Sequence, residues 1–212
     1  MFIVAVNLWL EYGQYAIGVC ESEEIRTILE KGLSAAGLDV GEGGLLWDVL
    51  REYELALLTV LPVDSEQHLQ QLQKVVDVFR RQLSVPLLNM EGTYDEWKTF
   101  IEILPDNQGI DLDGINWRYS KALKLLDVYR KFEDDLLKDN VQHKSVYLEY
   151  LKVVSDPSTK MCLYERALAV LCLDSELWED YCRYVKKNHF IILYLCCKKN
   201  FLEHVFKFQV KN

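Results

Sequence analysis

Apolar residues recur along this chain at the spacing of an amphipathic helix. Between residues 147 and 154 four of them fall at i, i+3, i+4 and i+7, namely Tyr147, Tyr150, Leu151 and Val154. The same offsets return over residues 164–171 and 178–185. Asp156-Pro157 separates the first two stripes, since aspartate caps a helix and proline fits its first position. This pattern predicts a helical hairpin followed by the first helix of another.

The hairpin pattern also occurs upstream. A helix centred on residues 7–15 is followed by a partner that carries Ile25 and Ile28, with Ser22 as its predicted N-cap. A second pair covers residues 46–57 and 72–83, and a third begins near Thr93, with a long return helix from about Ile115 to Lys138. A hairpin cannot bury its apolar face alone, so repeated hairpins must stack. We therefore predict an all-α, helical-repeat solenoid (an α-α superhelix) over residues 1–185, with a divergent tail over residues 186–212.

Aligning the first helix of each pair produces three columns of large side chains. The first column reads Trp9, Trp47, Tyr94, Lys144 and Trp178, the second Tyr12, Leu50, Trp97, Tyr147 and Tyr181, and the third Tyr15, Tyr53, Phe100, Tyr150 and Tyr184. Large flat side chains can wedge one hairpin against the next, so we predict that the aromatic residues are core rather than a cofactor site. Lys144 is the exception, and it predicts a looser interface unless its ammonium reaches water.

The connection between the first two hairpins, residues 37–44, is rich in glycine. A phosphate-binding loop would need a Gly-Lys-Ser/Thr sequence after a strand, and the chain offers neither here. The sequence instead predicts a flexible link between repeats.

Charge is distributed unevenly along the chain. The net charge is −9, while residues 186–212 contain six lysines and one glutamate, so residues 1–185 carry about −14 by subtraction. Nucleic-acid affinity depends mainly on cations that neutralise phosphates. The repeat region is therefore expected to bind proteins and not RNA directly.

The polar residues do not form a recognisable catalytic or metal-binding pattern. The six cysteines have no zinc-ligand spacing, and we expect Cys172 and Cys182 to act as small apolar fillers in a reducing compartment. The four histidines are scattered, and Asp134-Asp135 is typical of a solvated helix face. No signal peptide and no apolar run of about 18 residues is present. We therefore expect no catalytic residue, cofactor, metal or membrane span, although an unrelated helical enzyme domain remains an alternative.

The second helices carry a further motif. Tyr164-Glu165-Arg166-Ala167-Leu168, together with the aromatic columns, resembles the half-a-tetratricopeptide (HAT) repeat of RNA-processing scaffolds. Weaker copies begin at Leu29 and Phe79. The combined repeat signature comprises Trp9, Tyr12, Tyr15, Trp47, Tyr53, Phe79, Tyr94, Trp97, Phe100, Tyr147, Tyr150, Tyr164, Glu165, Arg166, Ala167, Leu168, Trp178, Tyr181 and Tyr184.

This resemblance implies a non-catalytic, nuclear scaffold for pre-mRNA splicing. Taken together, the motifs resemble those HAT proteins that help to assemble and recycle spliceosomal small nuclear ribonucleoproteins (snRNPs). This resemblance implies snRNP proteins and deubiquitinases as partners. Such scaffolds contact RNA through separate RRM domains, and no RRM signature is present here. A nuclear-localisation tract and the C-terminal half of the array, through which such proteins dimerise, are also expected to be absent. Two other HAT scaffolds remain as alternatives, one for mRNA 3′-end cleavage and polyadenylation and one of the crooked-neck type.

The repeat pattern ends after Val185. An apolar run over residues 190–197 could form a short strand, an amphiphilic cap or a membrane-proximal segment, and we expect an alternative or truncated C-terminus. Cys196-Cys197, beside two lysines, would be a palmitoylation site only with a second anchor. A solenoid end without a polar cap exposes apolar surface, so self-association through this end is predicted.

Overall fold

Helices account for all the regular secondary structure that the computed structural model describes, which covers residues 6–63, 65–104, 109–138 and 142–188. Over these residues the helices are α1 (Val6–Val19), α2 (Ser22–Ala36), α3 (Gly43–Thr59), α4 (Glu66–Gln82), α5 (Met90–Ile103), α6 (Leu112–Leu136), α7 (His143–Val153), α8 (Pro157–Val170) and α9 (Ser175–Lys187). The all-α, helical-repeat class is confirmed. Most of the tail over 186–212, including the predicted lipidation and self-association features, lies outside the described residues.

The chain divides into two compact units after Leu137. In the first, α1 packs on α2 and α3, α2 packs on α3, α3 on α4, and α4 on α5. The rings of Tyr94 and Tyr119, 3.9 Å apart at their centroids, join α5 to α6. In the second unit, α8 packs on both α7 and α9. The three hairpins of the first unit and the α7–α8 hairpin of the second match the predicted pairs, whereas a single array over residues 1–185 stays a prediction.

Capping residues fix where most return helices begin. The carboxylate of Asp156 accepts hydrogen bonds from the Thr159 amide and hydroxyl, and Pro157 opens α8 as predicted. The long return helix starts before the predicted Ile115, because Asp111 accepts a hydrogen bond from the Gly114 amide. The prediction for Ser22 was wrong: it is already the first residue of α2, and no side chain caps this helix.

The glycine-rich connection is not a flexible link, and that prediction was wrong. Asp39 is buried, and its Oδ1 accepts hydrogen bonds from the amides of Gly41 and Glu42 at 2.9 and 3.0 Å. The carbonyl of Val40 accepts a hydrogen bond from the Leu88 amide, which lies between α4 and α5. These bonds fix the connection against the next repeat.

Gly43 in this connection is expected to tolerate no side chain. A Cβ there would lie 2.9 Å from the carbonyl oxygens of both Ala36 and Gly37, and backbone atoms cannot move aside cheaply. We expect Gly43→Ala to lower the free energy of unfolding by about 1–3 kcal/mol, as overpacking does. Gly92→Ala is the matched control, because a Cβ at Gly92 meets nothing within 4 Å. It should be neutral or stabilising by up to about 1 kcal/mol. Urea denaturation of both variants checks this, and equal effects would contradict it.

Candidate protein-interaction site

The structure separates the predicted repeat signature into three groups by exposure. The buried members are Trp47, Phe79, Trp97, Phe100, Tyr147, Tyr150, Tyr164, Ala167, Leu168, Trp178 and Tyr181. The half-buried members are Trp9, Tyr53, Tyr94, Glu165, Arg166 and Tyr184. Tyr12 and Tyr15 are 47% and 66% exposed, so the prediction that every aromatic residue of the columns is core was wrong for them.

At two junctions, the aromatic residues of the second and third columns pack against one ring of the preceding return helix. We call this arrangement, one ring held between two, a clasp. In the first unit, the Phe79 ring of α4 lies 5.3 Å from the Trp97 ring and 5.5 Å from the Phe100 ring of α5. In the second unit, the Tyr164 ring of α8 lies 5.3 Å from that of Tyr181 and 5.4 Å from that of Tyr184. Aromatic pairs at these distances stabilise the contact beyond simple burial. At these two junctions the columns therefore join a helix to the return helix before it.

This arrangement explains why Tyr12 and Tyr15 are exposed. On α1, Val6, Gly13 and Ala16 are the buried residues, and the helix packs through α2 and α3. Among the described residues, no helix precedes α1 and covers its columns in the way that α4 covers those of α5 and α8 covers those of α9. The Tyr12 ring lies 6.2 Å from the Trp9 ring of its own helix, and within the described ranges neither tyrosine clasps a ring of a preceding helix.

A hydrogen bond accompanies the clasp between α8 and α9. The Tyr181 hydroxyl donates to Glu165 Oε1 at 2.7 Å. Burial raises the pKa of Glu165 above its usual range, and the hydrogen bond from Tyr181 opposes that shift. In the α4–α5 clasp neither group is present, since the residue after Phe79 is Arg80 and the second-column residue is Trp97. At the α8–α9 junction, a second-column tyrosine and a glutamate directly after the clasped ring therefore occur together.

Lys144 joins two helices of the second unit through ion pairs. Its Nζ lies 2.7 Å from Asp174 Oδ2 and 2.8 Å from Glu176 Oε2, both at the start of α9. The ammonium thus links α7 to α9, and a looser interface at this position stays a prediction. The hydrogen bond from Lys144 lowers the pKa of Asp174, and the bonds to Asp174 and Glu176 raise the pKa of Lys144.

This pair predicts a measurable pKa change. The contribution of Asp174 to stability is complete above the usual carboxyl range and is lost as the pH falls through its lowered pKa. The contribution of Lys144 is present below the usual lysine range and is lost as the pH rises through its raised pKa. In Lys144→Met, we expect the pKa of Asp174 to rise toward its usual range in a carboxyl-detected NMR titration. Lys152→Met, which removes an exposed pair with Glu149, should leave it unchanged.

A polar network that the sequence patterns did not predict joins α2, α3 and α4. Arg26 of α2 donates to both oxygens of the buried Glu54 carboxylate, at 2.7 and 3.1 Å. The Gln71 amide of α4 donates to Glu54 Oε2 at 2.6 Å and to the Glu54 carbonyl at 2.8 Å. The bond to Glu54 is the main cause that raises the pKa of Arg26. A buried carboxylate is tolerated here because Arg26 and Gln71 together satisfy it.

A second network joins α3, α4 and α5. Arg51, buried on α3, donates to Asp48 and to Glu96, each at 2.7 Å, and to the Gln82 side chain. Its guanidinium lies 5.4 Å from the centroid of the clasped Phe79 ring. The signal for both networks was present in the sequence, since Arg51 and Glu54 lie on the apolar stripe that follows Trp47. Column alignment missed them because it followed only aromatic positions.

A groove of about 540 Å³ opens between α2, α3 and α4. Leu50 and Val78 lie on its apolar lining, and the rim includes Gln73 and Lys74, both exposed. The groove is also lined by two interhelical ion pairs, Arg26 with Glu54 and Arg81 with Glu30. The volume lies in the range of ligand pockets, and apolar groups lie beside paired charged groups in the lining. This groove is the candidate interaction site.

The cysteines and possible metal ligands complete the comparison with the sequence patterns. Among the described residues, Cys172 is exposed and Cys182 half-buried, so the filler prediction was wrong for Cys172, which follows the end of α8. Within the same residues, no group of three or more potential ligands could hold a metal ion. A search of these helices for one long and apolar enough to cross a membrane found none.

The fold and its clasped columns define a helical-repeat protein, and comparisons with known proteins narrow the class. Residues 1–99 match the family model described as the PRP39 N-terminal HAT repeat. The chain is 32% identical over 193 residues to "Spliceosome associated factor 3, U4/U6 recycling protein" of Homo sapiens, and equally to that of Pongo abelii. The protein of that name from Caenorhabditis elegans is 22% identical over 185 residues, which are 83% of the chain and 22% of that protein.

The chain therefore belongs to the HAT-repeat proteins, and it is of the kind represented by spliceosome associated factor 3. The similarity to the Homo sapiens protein covers 87% of the chain, but the chain spans only 18% of the length of that relative.

Proposed function

We propose that this chain is a non-catalytic scaffold in pre-mRNA splicing that binds snRNP proteins during their recycling in the nucleus. The observation that carries the proposal is the similarity along 87% of the chain to proteins named as U4/U6 recycling factors. The clasped hairpins support it, because they offer an extended surface that other proteins can bind. Deubiquitinases are a second proposed class of partner.

The acidic repeat region favours protein partners over RNA. Residues 1–185 carry about −14 by subtraction from the net charge. Their surface would repel a phosphate backbone, and basic segments of snRNP proteins would be attracted to it. We propose that such a segment binds the groove between α2, α3 and α4, with Gln73 and Lys74 at its rim.

Affinity capture from nuclear extract tests the proposal. The immobilised chain is expected to retain snRNP proteins, with deubiquitinases as the finer prediction, in quantitative mass spectrometry. Lys74→Glu replaces a cation at the rim by an anion, so it should raise the retained amount of a basic partner at least about threefold if the groove binds it. Lys31→Glu is the matched control, because Lys31 is an exposed lysine of α2 outside the groove.

Other outcomes would overturn this proposal. Recovery of cleavage and polyadenylation factors in place of snRNP proteins would favour the alternative HAT scaffold. Equal recovery by both lysine variants would place the binding site outside the groove. Turnover that a single polar substitution abolishes would show that the protein is an enzyme.

A further inference from the structure

An exposed apolar stripe runs the length of α1. Leu8, Tyr12, Tyr15 and Val19 fall at i, i+4, i+7 and i+11, and they are 58%, 47%, 66% and 62% exposed. These offsets place the four side chains on one face of the helix. Soluble surfaces rarely expose a contiguous apolar stripe without a binding role.

The other repeats show what covers the equivalent positions. The counterparts of Leu8 on α3, α5 and α9 are Leu46, Thr93 and Leu177, and all three are buried. The counterparts of Tyr12 and Tyr15 on α5 are Trp97 and Phe100, which clasp Phe79, and on α9 they are Tyr181 and Tyr184, which clasp Tyr164. In both cases the covering element is an amphipathic helix that presents an aromatic ring.

The residue type at position 12 indicates which side chains a helix that packs on α1 would need. It shares the second column with Tyr181, whose hydroxyl donates to the glutamate that follows the clasped ring, at 2.7 Å. The α5 helix has Trp97 in that column, and the residue after its clasped ring is Arg80. The α1 helix therefore has, in Tyr12, the residue type that on α9 donates to a glutamate directly after the clasped ring.

We propose that the α1 stripe is a docking surface for an amphipathic helix of a partner protein that carries an aromatic-Glu-x-x-Leu sequence. The partner's ring lies between Tyr12 and Tyr15, its glutamate accepts a hydrogen bond from the Tyr12 hydroxyl, and its leucine packs along the stripe. On α8 the corresponding leucine, Leu168, is buried. The proposal requires no particular complex and is independent of the groove between α2, α3 and α4.

A peptide copied from α8 is the probe for this surface. It contains residues 156–171 with Cys162→Ala, carries a fluorescent label, and is held helical by a lactam bridge on its solvent-exposed face. We expect saturable binding to the full chain by fluorescence anisotropy. Hydrogen–deuterium exchange should show protection of residues 6–19 and not of residues 175–187, where a peptide that displaced the native α8 would bind.

Substitutions on both sides test the clasp. Tyr15→Ala in the chain and Tyr164→Ala in the peptide should each weaken binding at least about tenfold, because a clasped aromatic ring is a typical hot spot. Glu165→Ala in the peptide should weaken it several-fold with wild-type chain and not with Tyr12→Phe. Trp117→Ala is the matched control, since Trp117 is a 63% exposed aromatic residue on α6, and binding should be unchanged.

Three results would overturn the proposal. The first is no binding of the helical peptide at concentrations up to about 1 mM, where even weak binding would be detected. The second is equal binding by the Tyr15→Ala and Trp117→Ala chains. The third is a dimer of the chain that Tyr15→Ala dissociates in sedimentation experiments, which would assign the stripe to a second copy.

Discussion

Replacing Trp178 by alanine is expected to lower the free energy of unfolding of the unit that holds α7–α9 by about 3–5 kcal/mol. Trp178 is buried, and its indole N–H donates to the Cys172 carbonyl at 2.9 Å. Truncation removes a large buried ring and leaves a cavity that the surrounding helices can fill only partly. Hydrogen–deuterium exchange of residues 143–187, read together with urea denaturation followed by circular dichroism, measures the effect.

Trp117→Ala again provides the matched control. The Trp117 ring is mostly exposed, so its removal should change stability by about 0.5 kcal/mol or less. A loss of under about 1 kcal/mol for Trp178→Ala would contradict the packing described for α9.

Arg51→Met is expected to cost about 3 kcal/mol in the unit that holds α1–α6. Methionine retains an apolar stem but removes the hydrogen bonds to Asp48, Gln82 and Glu96. Gln82 is fully buried, so its amide oxygen loses a partner that water cannot replace. The two carboxylates are 25% and 59% exposed, which keeps the cost at the lower end of the range for broken buried pairs.

The matched control for this network is Arg80→Met. Arg80 pairs with Asp77 on the surface of α4, and both side chains are more than 40% exposed. Exposed pairs contribute little, so the change should stay below about 1 kcal/mol. Chemical denaturation of the two variants decides the matter, and similar midpoints for both would show that the buried network does not stabilise the fold.

The pattern of apolar positions was sufficient to predict the helices and their pairing. The return helix α8 begins at Pro157, with Asp156 as its cap, as predicted, because capping is determined within a few residues. The burial of each aromatic residue was less predictable, since Tyr15 and Phe100 share a column and differ only in whether a neighbouring helix covers them.

The groove could not be predicted from the sequence for a similar reason. Its lining includes Arg26 and Glu54, which are 28 positions apart along the chain and meet only after α2 and α3 have packed. A charge on an apolar stripe signals a buried partner, but it does not identify that partner.

The junctions between hairpins use different pairs of polar residues, so one hairpin cannot simply replace another. The junction of α2 with α3 and α4 needs an arginine opposite Glu54, whereas the junction of α8 with α9 needs a glutamate opposite Tyr181. Transplanting one hairpin into the place of another would leave Glu54 as an uncompensated buried charge. A chain built from the same hairpins in another order is therefore expected to be less stable than this one.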